Sequence, residues 1–445
     1  MASDLLSIAR SGAQAARVAL DVTAQNIANA SSEGYVRRSV RLEEVASSGG
    51  VGRAGDVSLS GVRLDRVVRN ADHFRQAEVR RTSGDAARAD AEVAGLQNVE
   101  SALEQTSVHP AIVQFEATLQ QLLTDPTEPG LRAAVVEDTR TLARTFNIAS
   151  SSLDAAGEGI RFQASDSVAK INLFAGELAR VNINLTRAAD ASSDQTALLD
   201  QRDLLLQQIS EHIDIATTIA ADETVEVRLG GASGPQLVSG GAANGFVMTT
   251  AADGTVSFAL AGTAVAPLSG SLTGRSQALL KLAEGKSELD AIALSIIATV
   301  NAAQTGGVAL DGSPGQPMLS GTGAGDMALA FDDVALIATA PAGAGANSRD
   351  PGNLDALRIL LAAADPAARM DALLFDISST VSSRGVTREA LDAIAGNALV
   401  ALQAQAGVDL DNEAISLLRF QQAFQANGRV IQVASDIFDT LLGIR

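Results

Sequence analysis

The chain has 445 residues, a formal net charge of −19 and no cysteine. That length allows roughly two to four domains with ample core. The acidity argues against nucleic-acid or anionic-membrane binding, and the absence of cysteine excludes disulfides, thiolate metal sites and a thiol nucleophile. Aromatic residues make up only 3%, so the cores must be built from Ala, Leu, Val and Ile, a composition suited to thin helical rods.

Ser3 is placed to cap a helix running to about residue 28. Along it Leu5, Ile8, Gly12, Ala15, Ala19, Val22, Asn26 and Asn29 recur in steps of three and four, which sets them on one face. Polar residues 29–34, ending in Gly34, stop the helix. Alternation over 35–45 and 57–68, across a Gly-rich turn at 47–55, reads as a β-hairpin or an extended connector. Residues 72 to about 105 are helical, with Val79, Val93, Leu96 and Leu103 on one face. Pro110 suits the first turn of the next helix, and Asp125-Pro-Thr-Glu-Pro-Gly130 is a break. Helix signals continue from 131 to about 187, weakened by Gly157 and Gly159, and again over 194–213, capped by Asp194.

Composition then changes. Residues 215–273 are rich in Gly, Thr and Val, and 225–229 and 255–259 alternate cleanly. A helix at about 276–303 follows, then a turn-rich stretch with short strands at 328–331 and 334–339. Helices are expected at 354–364, 366–384 and 387–406, with a break at Gly407. The last segment repeats the pattern of the first: Leu417, Phe420, Phe424, Asn427, Ile431, Ala434, Phe438 and Leu441 form a seam of mostly large residues, flanked by Leu418, Val430, Val433, Ile437 and Leu442. Asp409 and Asp411 suit its start. Small residues at one chain end and large ones at the other would interdigitate.

The expected fold is mainly α with an inserted β-rich domain. A long helical bundle and a terminal coiled coil are arranged as nested domains closed by both termini. The expected boundaries are 1–34 with 408–445 for a coiled-coil assembly domain and 35–214 with 348–407 for a helical-bundle domain with a β-hairpin. The outer β-rich domain, with its helix, takes 215–347.

Little in the sequence points to catalysis. His73, His109 and His212 are far apart, with no metal-ligand spacing. The glycine runs 230–234 and 321–325 lack the Lys-Ser/Thr ending of a phosphate loop and read as turns. The pairs Glu43-Glu44 and Asp332-Asp333 are adjacent, and strand neighbours point to opposite faces. No catalytic, cofactor or metal site is expected. The N-terminus shows no ordinary secretory signal and no apolar run reaches the ~20 residues of a membrane span, so composition alone suggests a cytoplasmic protein.

Asn26-Ile27-Ala28-Asn29 followed by Gly34-Tyr35-Val36-Arg37 resembles the N-terminal signature of the bacterial flagellar axial proteins, the rod, hook and hook-associated subunits. Arg69, Asp72 and Phe74 resemble a second shared patch. Leu198-Leu199-Asp200-Gln201-Arg202-Asp203 is similar to a motif of the hook-associated members. So is the ending, with Gly407 to Glu413, Arg419 to Phe424, Ala426-Asn427 and Phe438 to Leu442. The resemblance implies a non-enzymatic structural protein of the flagellum at the hook–filament junction, secreted by type III export without a cleaved signal. It implies self-association into a ring or helical layer through both terminal helices. The partners it implies are the hook protein, the third hook-associated protein, an export chaperone on the C-terminal helix and the export apparatus. Three departures are visible. Phe420 and Phe424 stand where Tyr is common, Gly428 lies mid-helix, and the chain is short in its middle, so one β-rich outer domain is expected instead of two. The competing readings are another axial subunit (third hook-associated, hook or rod protein), or a secreted adhesin-like module whose helices are a stalk.

Overall fold

The structure is a computed structural model that describes residues 2–47, 58–189 and 192–442. The turn expected at 47–55 falls almost wholly outside them. In chain order the elements are helix α1 (Ala2–Ala28), strands β1 (Arg38–Ser47) and β2 (Ser58–Arg69), and helices α2 (His73–Glu104), α3 (Val108–Leu122), α4 (Pro129–Leu185) and α5 (Ser193–His212). Strands β3 (Ile215–Ile219), β4 (Val225–Leu229), β5 (Gln236–Ser239), β6 (Ala242–Ala243), β7 (Phe246–Thr250), β8 (Val256–Leu260) and β9 (Thr263–Val265) follow. Then come α6 (Ser271–Gly306), the two-residue strands β10 (Gly307–Val308), β11 (Leu319–Ser320), β12 (Ala328–Leu329) and β13 (Ala340–Pro341), and helices α7 (Gly352–Ala364), α8 (Pro366–Ala406) and α9 (Leu410–Leu442). The described chain is therefore mostly helical, with a few small sheets.

It divides into two compact units, the first made of 1–83, 171–245 and 392–445, the second of 84–170 and 246–391. The division differs from the expected boundaries, because residues 215–347 are shared between both units.

In the first unit, α1 lies along α9 and beside the β1–β2 ribbon. The ribbon is antiparallel, pairing Arg38 with Arg69 and Val40 with Val67, with register shifts at Arg41/Leu42 and Glu44/Ala46. Its Val62 amide donates to Ser11 Oγ on α1 (3.3 Å). Asp72 starts α2 by accepting from the amides of Phe74 and Arg75 (2.9 and 3.2 Å), two donors that a helix start leaves free. The cap of α5 is Ser192, which accepts from Gln195 N–H. Asp194, expected in that role, sits inside the first turn, where its charge favours the positive end of the helix dipole. Strands β3 to β6 form an antiparallel sheet. Val225, Val227 and Leu229 of β4 are buried, as their alternation requires. Asn182 of α4 ties this sheet down, donating to the carbonyls of Val225 and Gly240 (2.9 and 2.8 Å) and accepting from Val225 N–H (3.0 Å).

In the second unit, one hydrophobic cluster runs from Leu96 through Phe115, Phe146 and Ile292 to Ile377, joining α2, α3, α4, α6, α7 and α8. Gly274 lets the start of α6 approach α2. A Cβ there would lie 2.1 Å from the carbonyl oxygen of Arg88. Strands β7, β8 and β9 form their own antiparallel sheet, with Phe246 and Phe258 stacked at 5.7 Å between centroids.

α4 runs unbroken past Gly157 and Gly159 over about the span expected for it, α6 is longer than expected at both ends, and α8 is one helix past Gly385, not two. A glycine inside a helix costs only about 1 kcal/mol, which the packing of a long helix outweighs. The strand expected at 334–339 is absent. Residues 334–336 form a 3-10 turn instead, and the reason is Arg132. This fully buried side chain donates to the carbonyls of Pro126, Val334, Ala335 and Ile337 at 2.8, 2.9, 3.3 and 2.6 Å, and to Thr339 Oγ1 at 3.4 Å. Carbonyls occupied by a guanidinium are not available to a neighbouring strand.

Candidate assembly site

The terminal helices meet along their length. On α1 the inner face is small: Ala9, Ala15, Ala16, Ala19 and Val22 are buried, and so is Asn26. Gly12 faces Asn427 of α9 so closely that a Cβ would come within 2.7 Å of its Oδ1. Gly12→Val is therefore expected to push the helices apart and lower the stability of the pair by about 1–3 kcal/mol. Thermal melts should show that loss, and an unchanged midpoint would contradict the contact.

The expected seam residues are not equally covered. Ala15, Ala19, Val22 and Asn26 are buried, Gly12 and Asn29 are half-buried, and Leu5 and Ile8 are exposed. On α9, Ala434 is buried while Leu417, Phe420, Asn427 and Ile431 are half-buried. Phe424 and Phe438 are exposed, at 43% and 47%. Leu441 lies outside the described side chains. The flanking row is more open still, with Leu418 at 58% and Val433 at 57%. Gly428 has no atom within 4 Å of an added Cβ, so it mediates no close approach within the chain.

Beneath the helix pair lies a polar network that gathers motifs far apart in sequence. Asn26, at the end of α1, accepts at Oδ1 from the Tyr35 hydroxyl (2.9 Å) and the Arg38 amide (3.0 Å). Its Nδ2 donates to the Arg38 carbonyl (2.8 Å) and to Glu413 Oε2 in the first turn of α9 (3.2 Å). Arg37 Nε donates to Glu413 Oε1 at 2.6 Å, and the Arg37 amide donates to the Ala406 carbonyl (2.9 Å). Arg38 stacks over the Tyr35 ring and reaches Asp200 on α5 (3.2 Å). Arg69 spans Asp200 (2.9 Å) and Asp203 (2.9 Å). Asp203 also accepts from Gln76 (2.9 Å) and from Arg202 (2.8 Å), and Arg202 turns its other end to the Glu223 carbonyl (2.7 Å). Asn29 Nδ2 closes the end of α1 on the Gln25 carbonyl (2.9 Å). Gly34 takes a left-handed φ of 76° beside Leu204. Ile27 and Gln201 are exposed and stay outside the network.

The network is close to charge balance, which is what lets it be buried. Burial pushes the Asp200 carboxyl up despite Arg69 and Arg38. Burial acts on Asp203 too, but the charges of Arg202 and Arg69 outweigh it and hold that carboxyl below its ordinary value. Tyr35 is raised by burial. Nothing here is poised for catalysis, because every carboxylate is already engaged by donors. The arrangement orients α1, the ribbon and the start of α9 on α5.

Elsewhere, the amides of Thr322 and Gly323 are taken by Asp326 (2.7 and 2.9 Å), and that of Ala324 by Asp290 (2.7 Å). The 321–325 loop is thus filled by the chain's own carboxylates. His109 faces Asp371, and His212 stacks on Phe174. Among the described residues no group of three or more potential ligands could hold a metal ion, and no helix is long and apolar enough to cross a membrane.

Comparison with known proteins gives these helices a context. Residues 6–35 match the family model for flagella basal body rod protein, and 403–444 match that for the C-terminal part of the flagellar basal body rod FlgEFG proteins. Matching terminal segments at both ends define an axial subunit of the bacterial flagellum. Residues 93–319, just over half of the chain, match the model for the helical domain of flagellar hook-associated protein FlgK. The chain belongs to the FlgK family of flagellar hook-associated proteins.

It is 24% identical to flagellar hook-associated protein 1 of Bacillus subtilis over 98% of this chain and 97% of that one. The protein of the same name from Escherichia coli K12 is 24% identical over the full length of both. The one from Salmonella typhimurium is 26% identical over 72% of this chain and 59% of the relative. A solved structure of the flagellar hook junction protein FlgK from Burkholderia pseudomallei superposes on 54% of this chain and 46% of its own, with a TM-score of 0.49 and 21% identity. The chain is thus a structural component of the flagellum at the hook–filament junction, outside the cell. This overturns the cytoplasmic expectation from composition.

Proposed function

We propose that α1 and α9 form a two-helix coiled coil that is completed only by the same pair in neighbouring subunits. The subunits close a ring or helical layer at the junction, and the rest of the chain is carried outward as nested domains closed by both termini. One observation carries this reading. α9 is packed on α1, yet Ile415, Leu418, Phe424, Val430, Val433, Ile437 and Phe438 remain exposed along it. Apolar side chains left exposed in this number along one helix mark an interaction surface. One partner helix cannot cover them, because most lie off the face that holds Phe420, Asn427, Ile431 and Ala434. The rod-type matches at both ends support neighbours with equivalent helices.

The remaining assignments follow from the family. The hook protein lies on one side and the third hook-associated protein on the other. An export chaperone shields the C-terminal helix before assembly, and the chain leaves through the flagellar type III apparatus. Deleting residues 2–28 or 409–445 tests the core of the proposal. Both truncations are expected to abolish self-association and filament attachment to the hook, while amide exchange within the second unit stays as in the full chain. Normal assembly of either truncation would defeat the proposal.

A further inference from the structure

In the first unit a cleft of about 900 Å3 opens between residues 30–36, the start of α2, α5 and residues 399–409. About half of its lining is apolar, with Val36, Val79, Leu204 and Leu402 among the walls, and half is polar. Two polar groups one helical turn apart on α2 are incomplete there. Gln76 is buried, its Nε2 donates to Asp203, and its Oε1 has no donor. Arg80 is half-buried and makes no hydrogen bond or ion pair among the described residues. It feels the charge of Asp203, whose oxygens are already taken by Arg69, Arg202 and Gln76. Glu33 and Asp409 also stand in the lining, and Asp409 is engaged in capping α9 through the amides of Asp411 and Asn412 (3.0 and 3.1 Å). These carboxylates repel an anionic occupant. An aromatic ring meets no such repulsion. Its negative face attracts a guanidinium that lacks a counterion, and its positive edge suits an unfilled acceptor.

The chain carries such a ring at the same level. Phe74, in the first turn of α2, is 86% exposed, more than any other large apolar side chain among the described residues. Arg75 beside it forms an exposed pair with Glu78 (3.1 Å), and Asp72 is engaged by the amides of Phe74 and Arg75. Successive residues of an α-helix turn by about 100°, so Phe74 lies about 200° from Gln76 and about 140° and 240° from Val79 and Arg80. The ring and the cleft are therefore on opposite sides of one helix, and Phe74 and Gln76 differ by only about 3 Å along its axis. Complementary features on opposite sides at one level make a heterologous contact, which repeats from copy to copy within a single layer.

The geometry points to a second copy of this chain as the occupant: Phe74 of one copy enters the cleft of the next, with its face on Arg80, its edge toward Gln76 Oε1 and its flanks against the apolar walls. Arg75 comes with it and bridges Glu78 of its own chain to Glu33 on the cleft. The inference rests on the reading of the terminal helices as elements that assemble copies into one layer, and it adds a second contact between those neighbours.

The chain has no cysteine, so single introduced thiols report the contact cleanly. Ser31→Cys places one at the cleft, and Ala77→Cys on a separate chain places one at an exposed position beside Phe74. Mixed under assembling conditions with a short bis-maleimide, they should give a heterodimer. Phe74→Ala in the second chain should lower its yield about tenfold, the worth of one buried aromatic anchor. Arg80→Met in the first chain keeps the stem, removes the charge and should lower the yield about threefold to tenfold. Glu33→Arg in the first chain should lower it as well, and Arg75→Glu in the second should restore it. Phe74 is exposed in the single chain, so its replacement remains informative should Arg80→Met perturb folding, which circular dichroism reports. Assembly with no cross-link, or with a yield indifferent to Phe74→Ala, overturns the inference and leaves the assembly reading intact. Failure of the unmodified chain to self-associate at any concentration overturns both.

Discussion

Asp203→Ala is expected to destabilise the first unit by about 3–5 kcal/mol, the usual result of removing one partner from a buried ion pair. The substitution leaves Arg69, Arg202 and Gln76 without an acceptor they share, and Arg202 is fully buried. The loss should appear as faster amide exchange at Arg38 and Asn70, whose amides are bonded to Asn26 and to the Arg37 carbonyl. Amides in the second unit should be unaffected. Acidification provides a second readout. The Asp203 carboxyl is held below its unfolded value, so its stabilisation is complete above the ordinary carboxylate pKa and is lost as pH falls through the folded value. Asp200 has the opposite sign: raised by burial, it costs stability once pH climbs past its unfolded value. Asp203→Asn should therefore flatten the acid limb of the stability curve. An acid limb identical to that of the parent would show that the network does not hold the unit together.

The second large effect belongs to Arg132. Arg132→Met keeps the stem of the side chain and removes every donor to the carbonyls of Pro126, Val334, Ala335 and Ile337. Each buried carbonyl left unpaired costs about 1–3 kcal/mol where no water replaces the guanidinium, so a total loss of about 4 kcal/mol or more is expected. The damage should be local to the second unit. Ala338 N–H, now bonded to Gln304 Oε1, and Asn353 N–H, bonded to the Thr339 carbonyl, should exchange faster. The β1–β2 ribbon should not change. Retention of native protection at Ala338 would mean that the loop is ordered without the guanidinium.

These two networks also mark what the sequence could and could not convey. Periodicity located α1, α9 and the face of α2 carrying Val79, Val93, Leu96 and Leu103, because burial on one helix face leaves a repeat. The alternation of β4 was legible for the same reason. A side chain such as Arg132 leaves no repeat. It acts once, three of its four carbonyl partners lying about 200 residues away, and so the turn at 334–336 was read as a strand. Asp200, Arg202 and Asp203 stood out only as a motif. Their partners Arg38, Arg69 and Gln76 lie on other elements, and no spacing rule connects them. Glu413 belonged to a recognisable ending, but its bonds to Asn26 and Arg37 required the fold. Gly385 misled in another way. It broke a helical pattern on paper, yet a single glycine is a small penalty against the packing that holds α8 together. The seam residues had a further limit: period alone cannot say which half of a seam is covered within the chain and which half stays open.

The bond between Asn26 and Glu413 joins positions 387 apart in sequence. This separation imposes an order in time. The second unit has all its residues once position 391 is available. The first unit cannot close until residue 413 arrives, because Asn26 and Arg37 wait for that carboxylate. Loop-closure entropy delays so distant a contact further. A chain released from one end to the other therefore settles its second unit first and keeps its terminal helices unfinished until last. The segments that carry the exposed apolar side chains of α9 are thus the last to be committed.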